Sequence, residues 1–284
     1  MKVSIIIPAR DELEGLKIIL PKLLKLFPDY ELIVVNDGSE DETDEFCKDL
    51  GIQLIHHTVS LGNGAAIKAG ARRARGDILV FMDADGQHRP EEIGRLLEKV
   101  EEGFDMVVGA RQASSHASLG RLLANIFYNR FASFMVGKKV DDLTSGFRAV
   151  KAEYFHKFLY LLPNGFSYPT TCTMAFFRSG YSVEYVTIKT NNRVGKSHIR
   201  IVRDGVRFLL ILFKIGTLYS PLKIFLPFSV VSFILGLSYY IYTYTTVGRF
   251  TNMSALLFTT SVIIFLMGLI SEQITNLLYS GSDH

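Results

Sequence analysis

A chain of 284 residues with a formal net charge of +3, 48% hydrophobic residues, two cysteines and no tryptophan can fill one large domain or two small ones. A charge balance this slight makes no electrostatic case for nucleic acid as a partner. Cys47 and Cys172 stand apart without metal-ligand spacing, which argues against a disulfide framework or a zinc site and fits a reducing compartment.

Met1 and Lys2 run straight into Val3-Ser4-Ile5-Ile6-Ile7-Pro8, an apolar stretch too short for the core of a signal peptide and stopped by proline. The hydrophilic part is therefore expected in the cytoplasm. From there to Gly109, short apolar runs alternate with amphipathic helical segments. Val3 to Ile7, Glu31 to Val35, Ile52 to His56, Ile78 to Met82 and Met106 to Gly109 read as strands. Such alternation predicts an α/β fold with a mostly parallel, Rossmann-like sheet, which gathers ligand groups where strands end at their carboxyl edge. The polar residues keep that phase: Asp11 and Glu12 follow the first strand, Asn36-Asp37-Gly38-Ser39 the second, Asp83-Ala84-Asp85 the fourth and Arg111 the fifth.

Residues two apart on an extended segment project to one side, so Asp83, Asp85 and Gln87 can converge as oxygen donors for a hard divalent cation. A polar turn closing a strand is the plainer reading of the same residues. Gly62-Asn63-Gly64-Ala65-Ala66 opens a helix with small residues, which either lets backbone amides approach a phosphate or lets the helix pack closely. It is no Walker loop, since no Gly-Lys-Ser/Thr follows.

After Arg121 the pattern is helical to about Gly137. The polar segment from Asp141 to Arg148 then leads into another helix, and Val183 to Ile188 reads as a strand. A donor-rich loop follows from Asn191 to Ser197. Arg111, Arg121, Arg148, Arg193 and Lys196 lie beside glycine or hydroxyl residues, where a guanidinium fork can grip a phosphate; a solvated surface cation is the alternative for each. From Ile199 to Gly216, Arg200, Arg203, Arg207 and Lys214 form one basic stripe on an otherwise apolar helix, which suits a helix lying in a membrane surface or a core helix with one wet edge.

Two uncharged runs follow, Ile224 to Val247 and Phe250 to Ser271, each long enough to cross a hydrocarbon layer of about 30 Å. Gly248 and Arg249 alone separate them, so as spans they form an antiparallel hairpin that returns the tail to the side it left; a pair of buried helices in a soluble core is the alternative. The expected domains are residues 1–198, an interfacial helix at 199–220 and the hairpin with its tail at 221–284, with both termini cytoplasmic.

Pro8 with Glu12, Asn36 to Ser39, Gly62 to Ala66, Asp83 to His88, Gly109-Ala110-Arg111 and Thr144 to Arg148 occur in an order that resembles the family 2 glycosyltransferases of GT-A fold. More narrowly, they resemble the polyprenyl-phosphate transferases of the dolichol-phosphate mannose synthase type. The resemblance covers residue 1 to about residue 200. It departs at Ala110, where serine is usual, at Asn63, where lysine is common, and across Gly165 to Thr171.

The resemblance implies an integral membrane enzyme with a metal cofactor, Mg²⁺ or Mn²⁺, held by Asp83, Asp85 and Gln87. Pro8, Ala9, Glu12, Asp37, Asp83 and Ala84 would contact the nucleotide of a sugar donor. Arg111, Arg121, Ser145, Arg193 and Lys196 would bind the acceptor phosphate, and Asp85, Arg111 and Arg193 would carry catalysis. The implied reaction is inverting transfer of a hexose-type sugar from a GDP-mannose, UDP-glucose or UDP-GlcNAc type donor to dolichyl or undecaprenyl phosphate. A homo-oligomer is compatible with it. The rival readings are a transferase that extends a polysaccharide or glycolipid, a silent nucleotide-sugar-binding scaffold and a peripheral lipid-binding module. Processive synthases of this fold use a Gln-x-x-Arg-Trp segment, which a chain without tryptophan lacks.

Overall fold

The computed structural model describes residues 1–111, 119–165, 168–191, 210, 213–214 and 216–280, with the side chains of 119–125 and 280 left aside. It divides into two compact units, Met1–Arg207 and Phe208–His284.

In the first unit the elements run β1 (Val3–Ala9), α1 (Leu13–Leu26), β2 (Glu31–Asp37), α2 (Thr43–Asp49), β3 (Gln53–His57), α3 (Asn63–Arg73) and β4 (Ile78–Phe81). They continue as α4 (Ile93–Glu101), β5 (Met106–Arg111), α5 (Leu119–Val136), β6 (Arg148–Lys151), α6 (Ala152–Lys157), α7 (Tyr168–Arg178) and β7 (Val183–Ile188). One seven-stranded sheet has the order β3-β2-β1-β4-β6-β5-β7. Only β6 runs antiparallel to its neighbours. The mostly parallel sheet expected from the alternation is present.

The strands form because they can be buried on both faces: Ile5, Ile6 and Ile7 of β1 and Ile33, Val34 and Val35 of β2 are all fully buried. Helix α1 covers one face with Leu16, Ile19, Leu20 and Leu23, spaced three, four and seven apart.

The strand β6 departs from the expectation of a polar segment leading straight into a helix. Only Ala149 and Val150 lie between charged residues in it, too short a run to show a period. Its partners are distant in sequence: Phe81 pairs with Arg148, and Val108 with Arg148 from the other side. Entering the sheet backwards, β6 carries the 142–147 segment to the carboxyl ends of β4 and β5.

In the second unit, α8 (Pro221–Val247) and α9 (Asn252–Ser280) are long and apolar enough to cross a membrane. Gly248 ends α8 in the left-handed region at φ 66°, where a side chain would be strained. The two helices pack through small residues at intervals of seven: Ser229, Gly236 and Thr243 on α8, and Ser254, Ser261, Gly268 and Thr275 on α9 are buried. Ser229 and Ser261 each donate a hydroxyl to the other's carbonyl at 2.9 Å. A Cβ on Gly268 would stand 2.8 Å from Phe225 Cβ, so glycine sets the approach there.

Helix α9 also runs past Ser271, where the second uncharged stretch ends. Glu272 continues it because its carboxylate accepts from Ser220 Oγ at 3.1 Å and Leu222 N–H at 3.2 Å, capping the start of α8.

Candidate active site

The carboxyl ends of β1, β2 and β4 surround a cavity of ≈ 340 Å³ lined by Pro8, Ala9, Arg10, Glu12, Asp37, Ser60, Gly62, Asn63, Ala66, Asp83, Ala84 and Asp85. Parallel pairing brings these ends together: Ala9 lies opposite Asn36, and Ile6 opposite Phe81. The turn after β1 is strained at Asp11, whose φ of 52° is left-handed for a residue with a side chain. Cross-links hold it. Asp11 N–H donates to Ser39 Oγ at 3.0 Å, and Asp11 Oδ1 accepts from Glu40 N–H at 2.9 Å.

Asp37 accepts from His57 Nδ1 at 2.8 Å, Ser60 Oγ at 2.8 Å, Leu61 N–H at 2.9 Å and Gly62 N–H at 2.8 Å. Burial would raise its pKa, but these bonds outweigh burial and hold the carboxyl below its ordinary range. A carboxylate has roughly four acceptor positions, and the protein's own loop fixes how that of Asp37 sits in the cavity lining. Asp37 thus shapes the cavity wall.

The glycine-rich turn at α3 proves to be a packing device. A Cβ on Gly64 would fall 1.9 Å from Pro163 O, and Ala65 N–H donates to Asn164 O at 2.9 Å. The segment ending at Gly165 therefore covers the first turn that a phosphate was expected to approach.

Asp83 and Asp85 are held from two sides. In α1, a Cβ on Gly15 would meet Ala84 O at 2.0 Å; on the other side, a Cβ on Gly146 would meet Asp83 Oδ2 at 2.8 Å and Oδ1 at 2.9 Å. Gln87 is outside the cavity lining, and its N–H donates to Asp85 Oδ1 at 3.1 Å. His88 is buried and stacks on Phe147 with ring centroids 5.0 Å apart, its Nδ1 accepting from Asp83 N–H at 3.3 Å. Burial pushes its pKa down to about 4 against the pull of Asp85, so the ring is neutral at pH 7.

Three expected phosphate ligands are otherwise engaged. Arg111 forks onto Asp142, Nε to Oδ2 at 2.8 Å and Nη2 to Oδ1 at 3.1 Å, and Nη2 also donates to Thr144 Oγ1 at 2.8 Å. Burial opposes both charges, but the pair wins: the Arg111 pKa is raised and that of Asp142 lowered. The Ser145 hydroxyl is wholly buried and donates to Gly109 O at 2.7 Å, so it does not face a ligand. Arg148 is fully buried too, its guanidinium bound to Ser145 O, Pro169 O and Thr173 Oγ1. It cannot grip an incoming phosphate. The side chain of Arg121 and all of Arg193, Lys196, Arg200, Arg203 and Arg207 lie outside the described residues. Asp142 and Tyr168 carry no sequence signal as site residues, since each meets its partner across a long stretch of chain: Asp142 reaches Arg111, and Tyr168 reaches Gly146 O.

Chemically, two carboxylates two residues apart on one cavity wall are hard oxygen donors that suit Mg²⁺ or Mn²⁺. Among the described residues no three His, Cys, Asp or Glu side chains gather as a cage. A two-carboxylate set fits a cation of this kind that takes its remaining ligands from diphosphate oxygens and water.

A mostly parallel sheet with acidic residues at its carboxyl edge and one reversed strand beside β4 defines a GT-A-like domain. Residues 4–159 match the model of Glycosyl transferase family 2, and the chain belongs to that family. Residues 220–277 match the GtrB C-terminal hairpin. The chain is 31% identical over 204 residues to polyprenol monophosphomannose synthase of Mycolicibacterium smegmatis, covering 66% of this chain and 77% of that protein. It is 28% identical over 299 residues to the putative glycosyltransferase CsbB of Bacillus subtilis, covering 98% and 88%. Among solved structures, glucosyl-3-phosphoglycerate synthase of Mycobacterium tuberculosis, in complex with Mn²⁺, UDP and phosphoglyceric acid, shares the fold. The TM-score is 0.61 and the identity 19%, over 75% of this chain and 78% of that one.

Proposed function

We propose that this protein transfers a hexose from a nucleoside-diphosphate sugar to a polyprenyl phosphate at a membrane, with inversion at the anomeric carbon. The observation that carries the reading is the cavity wall on which Asp83 and Asp85 stand, in a chain that also holds two helices of membrane-crossing length. Similarity to a polyprenol monophosphomannose synthase supports the lipid acceptor.

Asp83 and Asp85 would hold Mg²⁺ or Mn²⁺, which when bound supplies positive charge to the leaving diphosphate. Pro8, Ala9 and Glu12 line the wall for the nucleotide. The acceptor phosphate is already anionic at pH 7, so the protein supplies position and charge compensation and needs no strong general base. Arg111 stays charged through its pairing with Asp142 and is proposed as one cation near the approaching phosphate. Arg121, Arg193 and Lys196 are proposed as further cations for that phosphate. The hairpin spans the bilayer, with the sheet domain and both termini in the cytoplasm.

The test is incubation of the purified full chain and a short polyprenyl phosphate with GDP-mannose, UDP-glucose and UDP-GlcNAc in turn, followed by mass analysis of the lipid. A mass gain of one hexose unit, or of one N-acetylhexosamine unit where UDP-GlcNAc is the donor, is expected from one donor. Nucleoside diphosphate released equally with and without the lipid would overturn the reading.

A further inference from the structure

Arg148 is a buried cation that makes no ion pair with any described residue. Its Nε is buried without a hydrogen-bond partner in the structure. An uncompensated buried charge is a poor way to gain stability, since an apolar side chain of similar volume avoids the desolvation. What the guanidinium does hold is two backbone carbonyls and one hydroxyl: Nη2 donates to Ser145 O, and Nη1 donates to Pro169 O at 3.1 Å and to Thr173 Oγ1 at 3.2 Å.

The next carbonyl is held as well. Tyr168 OH donates to Gly146 O at 3.1 Å, from a ring whose centroid lies 5.8 Å from Arg148 Cζ. Tyr168 is fully buried, and burial raises its pKa, so it remains a donor at every working pH. It begins α7, within the Gly165 to Thr171 stretch where the chain departs from its family's pattern. Both clamped carbonyls flank Gly146, the residue whose absent Cβ would touch both Asp83 carboxylate oxygens.

We infer that Arg148 and Tyr168 are positioning residues: by gripping the carbonyls of Ser145 and Gly146 they press that turn against Asp83 and fix the direction its carboxylate faces. This rests on the proposal that Asp83 holds a divalent cation. The clamp works like the supporting shell around metal ligands, where partners that never touch the ion set its affinity.

The test is Mn²⁺ binding by the detergent-solubilised full chain, read from the electron paramagnetic resonance of free Mn²⁺ without donor or lipid. Asp83→Asn, which removes a proposed ligand charge, is expected to weaken binding by more than tenfold. Tyr168→Phe, which deletes one hydrogen bond at nearly constant volume, is expected to weaken it about threefold. Arg148→Met is expected to weaken it about tenfold, with Arg148→Lys between it and the wild type. Unchanged Mn²⁺ binding in Tyr168→Phe and Arg148→Met, alongside a loss in Asp83→Asn, would overturn the clamp and leave the cation site standing. Unchanged binding in Asp83→Asn would overturn the cation reading, and the clamp with it. If Arg148→Met fails to fold, Tyr168→Phe decides.

Discussion

The sheet domain and the hairpin bury opposite kinds of residue. Phe81, Phe147, Phe155 and the isoleucines of β1 are wholly inside the first. In the second, serine, glycine and threonine are inside, while Phe228 is 65% exposed and Leu277 73% exposed. Water drives large apolar side chains together in the sheet domain. Lipid gives no such reward, so hairpin helices gain by close approach and by hydrogen bonds between small residues. The same contrast governs polar groups. The sheet domain places its carboxylates at a strand edge open to a ligand, whereas the hairpin's Glu272 caps a neighbouring helix.

The sharpest way to break the contrast is to strip chemistry from the sheet edge while leaving its packing. Asp85→Ala should lower turnover about a thousandfold, with an unchanged thermal transition. Wild-type turnover in the presence of Mn²⁺ or Mg²⁺ would remove Asp85 from its assigned role. Next comes Gly15→Ala, which should cost about a hundredfold in kcat/KM because the new methyl must displace the Ala84 backbone. Gly94→Ala is its control, since a Cβ there meets nothing within 4 Å; loss of activity in both variants would show that the Ala84 contact is not the cause.

Protonation gives a third comparison. The folded His88 titrates at about 4 and the unfolded one at about 6.5. Between those values the unfolded chain binds more protons, so stability is present above about 6.5 and is lost as pH falls toward 4, by about 3 kcal/mol in full. The depressed pKa of Asp142 acts lower, below about 4, where its loss of charge would break the pair with Arg111. The apparent Tm of the sheet domain should therefore drop between pH 7 and pH 5, and His88→Asn should flatten that slope. An equal slope in the variant would assign the loss elsewhere.

The hairpin effects are smaller. Gly268→Leu should destabilise α8 against α9 by about 2 kcal/mol through overpacking at Phe225. Ser229→Ala should cost about 0.6 kcal/mol, the usual worth of one hydrogen bond between membrane helices. Unfolding of the purified chain in detergent, followed by helix signal, measures both. A larger cost for the serine than for the glycine would mean that hydrogen bonding, not approach, sets the hairpin.

Much of this was legible because it follows from local period. Ile5 to Ile7 and Ile78 to Phe81 announce strands, and the phase of Glu12, Asp37, Asp83 and Asp85 after them announces an edge. The strand β6 was not legible, since four residues with charged ends carry no period and its pairing depends on a reversal of chain direction. The readings of Arg111, Ser145 and Arg148 changed because of that strand. Arg111 looks like an open fork until the segment leading into β6 delivers Asp142, and Ser145 and Arg148 look like ligands until the sheet closes over them. Arg193 and Lys196 lie outside the described residues and keep the standing they had in the sequence. Small residues every seventh place in the hairpin were visible in the letters but carry no hydropathy signal, which is why the runs around them read only as spans.

Four acids and one base line the cavity: Glu12, Asp37, Asp83 and Asp85 against Arg10. A bare nucleotide entering such a wall meets repulsion. Under the proposed function, the cation on Asp83 and Asp85 must be in place before the donor's diphosphate can settle there. Chelation would then do more than halt turnover, because it would also deprive free nucleotides of their power to inhibit, and a cell short of divalent ions would slow this step at the doorway before the bond is touched.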